Sequence, residues 1–291
     1  MRHPRVGVAI LTMGNRPQEL QTLLESVAKQ DAAPTRVVVV GNGSPLPPLP
    51  DGVAGIELPE NVGISGGRNV ALRALQEAGG VDVVVDLDDD GCLISPDVFA
   101  RIQTLYEQDA QLGVVSFRIA DETGHTQRRH VPRLRASDPM RRGLVTSFLG
   151  GGHALSMPML RQIGGWPEEF FYAHEETDLA WRALDAGWKV LYEPALVLQH
   201  PRTLPTRHAV YHRMVARNRV WLAKRHLPAV LAPVYLGVWT LLTLARTRSP
   251  AGLMAWAGGF LEGVRTPCGR RRPIRWATVW QMTTLGRPPI V

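Results

Sequence analysis

Val81-Asp82-Val83-Val84-Val85-Asp86-Leu87-Asp88-Asp89-Asp90-Gly91 is the stretch on which the reading of the fold turns. It opens as an apolar, β-branched run, the pattern of a strand buried in a parallel sheet. It closes in three consecutive aspartates and a glycine. Ligands of open α/β sheets bind at the carboxyl ends of strands. Three carboxylates crowded there repel one another unless a cation sits among them. Mg²⁺ and Mn²⁺ take oxygen ligands and share them with substrate phosphates. One reading is therefore a metal–diphosphate site. The other is an acidic turn capping the next helix, since Asp is a common turn and N-cap residue.

Toward the N-terminus the chain reads β-α-β. Arg5–Leu11 is a short apolar strand, followed by the turn Thr12-Met13-Gly14-Asn15-Arg16-Pro17. Pro17 suits the first turn of a helix, and Leu20, Leu23, Leu24 and Val27 recur at helical spacing. Arg36–Val40 is a second buried strand, stopped by Gly41-Asn42-Gly43-Ser44. This order predicts a parallel sheet with a right-handed crossover. Asn61-Val62-Gly63-Ile64-Ser65-Gly66-Gly67-Arg68-Asn69 then reads as a glycine-rich loop before a helix over Val70–Ala78. Such a loop lets the backbone approach an anion, and Arg68 would pair with a phosphate; a plain tight turn is the alternative.

Toward the C-terminus, a helix after Pro96 and a strand over Val114–Ile119 precede a polar, arginine-rich loop at Thr123–Arg142. Gly150-Gly151-Gly152 suggests close backbone packing beside a site. A second acidic cluster, His174-Glu175-Glu176-Thr177-Asp178, leads into an amphipathic helix ended by Gly187. Glu175 and Glu176 would sit at the helix's positive end, which favours the ionised form that a general base needs; plain N-terminal capping is the alternative. Trp188–Tyr192 reads as a strand leading to His200, a metal ligand or a loop histidine.

In this order and spacing, residues 5–200 resemble the family 2 glycosyltransferases of the GT-A fold. The resemblance rests on Val6–Arg16, Val37–Ser44, Asn61–Asn69, Asp88-Asp89-Asp90, Gly164-Gly165-Trp166 and Glu175-Glu176-Thr177-Asp178 running on to Gly187-Trp188. It implies an α/β, Rossmann-like, mainly parallel sheet flanked by helices. It also implies an inverting hexosyl or deoxyhexosyl transfer from a nucleotide-diphosphate sugar to an acceptor hydroxyl, with Mg²⁺ or Mn²⁺. Asp88 and Asp90 match the family's Asp-x-Asp, Asp88 near the ribose and metal and Asp90 on the metal, with His200 a further ligand in some members. Glu176 aligns with the catalytic base, which is usually Asp; Glu175 and Asp178 match neighbouring acidic positions. Thr12, Asn15, Arg16, Asn42, Asn61, Gly63, Gly66, Arg68, Asn69, Gly151, Gly152 and Trp166 are the expected substrate-binding positions. The strand end Gly41-Asn42-Gly43-Ser44 lacks the carboxylate common in the family, and Asp86 has no assigned role.

Composition bounds the rest. The chain has 291 residues, 45% of them hydrophobic, enough for a sizeable core. Its two cysteines, Cys92 and Cys268, suggest neither a disulfide framework nor metal-ligand spacing, which suits a reducing cytoplasm. Residues 1–200 hold 18 Lys and Arg against 25 acids, whereas residues 201–291 hold 15 against one, Glu262. Leu227–Ala245 is 19 residues without a charge, interrupted by Pro228, Pro233 and Gly237 and flanked by basic residues. Residues 1–200 are thus expected to form the catalytic domain, and 201–291 a basic, apolar helical tail. Such a tail is expected to lie on an anionic, cytoplasmic membrane face, a true span being the alternative. A lipid-linked acceptor in cell-surface polysaccharide, glycolipid or secondary-metabolite glycosylation would fit. An inactive nucleotide-sugar binding module, or a nucleic-acid binder acting through the tail, are the other classes. Nucleic acid is not an expected partner, because no recognisable nucleic-acid motif accompanies the basic residues.

Overall fold

The computed structural model describes residues 3–134, 138–202 and 209–291. Its centre is a mixed sheet, nine-stranded among the described residues. Strands β1 (Val6–Thr12), β2 (Arg36–Gly41), β3 (Val53–Glu57) and β4 (Val83–Asp88) are parallel, in the order β3-β2-β1-β4. Next to β4 lies β8 (Gly152–Ser156), antiparallel to it and to β6 (Leu112–Ala120). Beyond β6 runs β9 (Lys189–Gln199), parallel to β6, with the two-residue β5 (Cys92–Leu93) and β7 (Gly143–Leu144) antiparallel to β9. Two reversals restore direction, so β1, β2, β4 and β9 all end at one edge.

Strand alternation sorts the two faces. Val83, Val85 and Leu87 of β4 pack with Val8 and Ile10 of β1 against α1 (Pro17–Ala28) and α3 (Val98–Gln108). Val84 points to the opposite face, with Leu72 and Leu75 of α2 (Gly63–Ala78), Met159 of α4 (Met157–Ile163) and Leu179 of α5 (Glu175–Asp185). By the same period of two, Asp86 and Asp88 share that second face.

The glycine-rich 61–69 segment departs from expectation: it is largely the first turns of α2, not a loop. Gly63 takes φ +79°, and a Cβ there would collide with the Phe171 backbone. A Cβ on Gly67 would strike Leu11, so Gly67 lets α2 lie close on β1, while Gly63 admits the Phe171 backbone. In the arginine-rich 123–142 loop, Arg128–His130 forms a short 3-10 turn; Arg135 lies outside the described residues.

Four helices follow β9: α6 (Ala209–His226), α7 (Leu231–Arg246), α8 (Pro250–Arg265) and α9 (Trp276–Thr284). Trp221, Leu222 and Leu227 join the core on the α5 face, as does Tyr235 of α7. Cβ atoms on Gly259 and Gly263 would meet the α6 backbone at Arg213 and Arg217, so α8 seats tightly on α6. Much of the basic charge is used internally. Arg213 and Arg217 pair with Glu262. The Lys224 ammonium donates to the Gly263 and Thr266 carbonyls at the end of α8, at 3.0 and 2.9 Å. Among the described residues no helix is long and apolar enough to cross a membrane, and 227–245 is broken between α6 and α7. Val234, Leu241, Leu244, Met254, Leu261 and Trp280 remain exposed.

Candidate active site

The sheet edge where β1, β4 and β9 end gathers Thr12, Asp88 and His200. After β4 the chain turns sharply, with Gly91 N–H donating to the Asp88 carbonyl at 3.0 Å. This turn separates the three aspartates. Asp89 is buried and accepts from Thr12 Oγ1 at 2.6 Å and from Arg16 at 3.4 Å. Burial pushes its carboxyl above the ordinary range, over the opposing Thr12 hydrogen bond and Arg16 charge. Asp90 pairs with Arg16 through Oδ2, while its Oδ1 is buried without a well-formed hydrogen bond and faces His200 Nε2 at 3.0 Å. Burial favours the neutral acid here too, yet the close approach and charge of His200, with Arg16, hold Asp90 below the ordinary carboxylate range.

Asp88, Asp90 and His200 each offer one ligand atom, all within 4.8 Å of one another. His200 Nδ1 donates to the Pro201 carbonyl at 2.9 Å, which leaves Nε2 as the ligating nitrogen. Two carboxylate oxygens and an imidazole, with one oxygen lacking a donor, fit a hard divalent cation such as Mg²⁺ or Mn²⁺.

Asp88 also belongs to a cleft of about 280 Å³ with Arg68, Gly150, Tyr172, Glu175 and Glu176. Arg68 is its electrostatic centre. The guanidinium is only 5% exposed, donates to the Gly150 carbonyl at 2.6 Å and to Asp88 at 3.3 Å, and lies 4.9 Å from the Trp166 ring centre. Burial opposes its charge, but Asp86, Asp88, Glu176 and Glu175 around it prevail and raise its pKa. Asp86 reaches His153 Nε2 at 3.3 Å across the β4–β8 pair. The spacing of Asp86 and Asp88 along one strand contained this shared face.

Glu175 and Glu176 open α5, where the helix dipole favours carboxylates. Glu175 is 2% exposed and its Oε2 has no hydrogen-bond partner. Burial first, and then the Glu176 charge, push it up to about 8. Burial raises Glu176 as well, against Arg68. Burial and the neighbouring charge thus favour the neutral acid most strongly at Glu175, the deeper of the two. A Cβ on Gly150 would collide with Glu176 Oε1, and one on Gly151 would lie 3.2 Å from Asp88 Oδ2, so these glycines make room for both carboxylates.

The strained segment before α5 sets this geometry. Phe171, Ala173 and His174 all have positive φ, at 61°, 71° and 71°, uncommon for side-chain-bearing residues. Asn218 of α6 holds it, its Nδ2 facing the carbonyls of Phe170, Tyr172 and Ala173 at 2.9, 2.8 and 2.7 Å.

Several expected site residues serve the frame. Asp178 does not face the cleft: it is inaccessible, bound to Arg182 Nε and His226 Nε2, each at 2.6 Å. Asn42 donates to Asn61 Oδ1 and the Gly63 carbonyl and accepts from Val62 N–H. Asn61 accepts from Gly63 N–H at 2.8 Å. Asn69 clamps Trp166 from both sides of its backbone, accepting at 2.8 Å and donating at 2.9 Å. Gly66 packs on Val62, Gly152 pairs with Leu87, and Trp166 is 4% exposed behind Arg68. Asn15 is exposed in the turn after β1. Tyr211, Val215 and Arg219 of α6 line the cleft and were not anticipated. Their signal was the polar content of α6, an amphipathicity too weak for a surface helix.

Residues 8–163, more than half of the chain, match the family described as Glycosyl transferase family 2; the match ends before Glu175. A comparison with curated proteins returns no match. Solved structures share the fold. GalNAc-T7 with UDP, GalNAc and Mn²⁺ superposes at TM-score 0.67 and 13% identity over 97% of this chain and 57% of that one. S. aureus TarS gives 0.58 and 16% over 91% and 50%. The mannosyltransferase PcManGT from Pyrobaculum calidifontis, with GDP-Man and Mn²⁺, gives 0.57 and 19% over 98% and 85%. The chain thus spans about half the length of the first two. With that family match and this sheet, the protein belongs to glycosyl transferase family 2 and has the GT-A fold.

Proposed function

We propose that this protein moves a hexosyl or deoxyhexosyl unit from a nucleotide-diphosphate sugar to an acceptor hydroxyl, with inversion. The observation carrying this reading is one cleft that joins Asp88 of the metal-ligating group to Glu175 and Glu176 at the start of α5. Asp88, Asp90 and His200 would hold Mg²⁺ or Mn²⁺, which supplies charge stabilisation at the departing diphosphate. Glu176 accepts the proton of the acceptor hydroxyl. The hydroxyl oxygen bonds to the anomeric carbon as the bond to the diphosphate oxygen breaks on the opposite face. The electron pair leaves with the diphosphate, and the centre inverts. Arg68 favours the ionised form of Glu176 against burial and orients Asp88; the more deeply buried Glu175 takes the proton, so two like charges are not forced together. A base beside the metal group favours turnover over a binding-only module.

The outward apolar side chains of α7 and α8, with basic residues nearby, support peripheral attachment to an anionic cytoplasmic membrane face and an acceptor in cell-surface polysaccharide, glycolipid or secondary-metabolite glycosylation.

Donor turnover by two variants tests the assignment. Glu176→Gln should lower kcat by ~10²-fold or more with donor affinity unchanged. Glu175→Gln reproduces the protonated acid and should cost less than ~10-fold. The base works ionised and burial raises its pKa, so the rate should fall, as pH decreases, above the usual carboxylate range. Normal turnover in Glu176→Gln with a dead Glu175→Gln would move the role to Glu175.

A further inference from the structure

Arg219 differs from the other arginines of α6. Arg213 and Arg217 pair with Glu262, and Arg225 lies 3.6–3.7 Å from Asp178 and Glu169. Around Arg219 stand Tyr235, which shares a hydrogen bond with it, Tyr211, Arg246 and His174; among the described residues no acid forms an ion pair with it, although Glu175 and Glu176 line the same cleft. Its guanidinium stacks 3.8 Å from the Trp239 ring centre, and its Nε is buried without a hydrogen-bond partner. A desolvated guanidinium is costly unless an anion meets it, and its planar fork matches phosphate.

Its position indicates which anion. Arg219 forms a wall of the catalytic cleft beside Tyr211 and Val215. It also borders a second cavity, of about 100 Å³, between α6, α7 and α8, whose walls include Trp239, Leu242 and Trp256, with Arg246 also lining it. Neither Asp88 nor Glu176 reaches that cavity, so it lies outside the donor's metal group. Leu241, Leu244 and Met254 are exposed on the same helices.

We propose that Arg219 is the anion-binding residue of an acceptor subsite, and that the acceptor bears a phosphate or diphosphate ester, held at Arg219 while its hydroxyl reaches Glu176. This rests on the transferase reading of the cleft. An apolar chain on the phosphate would run along the α7–α8 cavity; a soluble phosphorylated acceptor would use the same anion site.

Calorimetric titration of the full-length protein in EDTA, without donor, tests the subsite independently of turnover. The probes are octyl phosphate, 1-octanol and inorganic phosphate. Octyl phosphate should bind at least ~10-fold more tightly than octanol. Arg219→Gln should weaken it by ~10- to 100-fold, the range of a charged hydrogen bond, and Arg219→Lys should keep part of the affinity. The exposed Arg246→Gln should cost about two- to fivefold, as an exposed ion pair does; with Arg219→Lys it decides the matter if Arg219→Gln fails to fold. Octyl phosphate binding above inorganic phosphate assigns a lipid-linked source, and equal binding of the two a soluble one; either supports the subsite. Equal binding of octyl phosphate and octanol, or unchanged affinity in folded Arg219 variants, overturns it. Because neither donor nor metal is present, that failure leaves the transferase reading standing, and absent donor turnover leaves this result standing.

Discussion

Replacing Asp178 by Asn separates a structural acid from a catalytic one. Asp178 is wholly buried where α5 meets α6, with Arg182 and His226 each at 2.6 Å and Arg225 at 3.6 Å. Burial pushes its carboxyl up, but the charges of Arg182 and His226, the His226 hydrogen bond and Arg225 hold it well below the ordinary range. Asn removes the charge on which these groups converge. Breaking a buried pair from one side costs about 3–5 kcal/mol. Arg182 keeps the carbonyls of Ile163 and Gly165, and the Asn oxygen still accepts, so the lower figure, about 3 kcal/mol, applies. At about 2–4 °C per kcal/mol for a chain of this size, Tm should fall by about 6–12 °C. The sign with pH follows from the depressed carboxyl. Its stabilisation is complete above the unfolded pKa of roughly 3.9 and is lost as pH falls through the folded value. The gap between wild type and variant should therefore persist through mildly acid pH and close only in strong acid. Differential scanning calorimetry reads the Tm, and donor hydrolysis well below the transition reads activity, which should stay within about threefold. An unchanged Tm with abolished hydrolysis would refute the reasoning and return Asp178 to the catalytic set.

Asp90→Asn should remove Mn²⁺ binding by calorimetry and metal-dependent donor turnover while leaving the circular dichroism spectrum intact; full activity in excess EDTA would exclude the metal group. Asn218→Ala frees the positive-φ segment before Glu175, so kcat should fall while metal affinity holds, with about 1–3 kcal/mol lost in denaturant unfolding; unchanged kcat would show that α6 does not position the carboxylates. Vesicles of anionic phospholipid should co-sediment the protein and release it in high salt or alkaline carbonate. Equal binding to neutral vesicles, or resistance to carbonate, would count against peripheral electrostatic attachment.

Local pattern carried much of this protein. The β-branched run before Asp88 determined β4, its period of two placed Asp86 and Asp88 on one face, and the acidic start of α5 placed Glu175 and Glu176 at a helix N-terminus. These follow from interactions within a few residues and survive any tertiary context that buries the apolar face. The segment 61–69 misled because its glycines serve close packing, Gly67 on β1 and Gly63 on the Phe171 backbone, and a partner surface is invisible in sequence. In the tail the charge total did not show how some of its basic residues are used: Arg213 and Arg217 meet Glu262, and Lys224 meets helix-end carbonyls. Tertiary structure alone brought His200 to Asp90, because two antiparallel steps in the sheet realign β9 with β4. It alone divided the acids of α5: at about 100° per residue, Glu176 and Asp178 project some 200° apart, one into the cleft and one against α6. It alone seated α6 in the wall of the cleft, since only packing against α5 and α8 determines which of its arginines meets an acid and which lines the cleft.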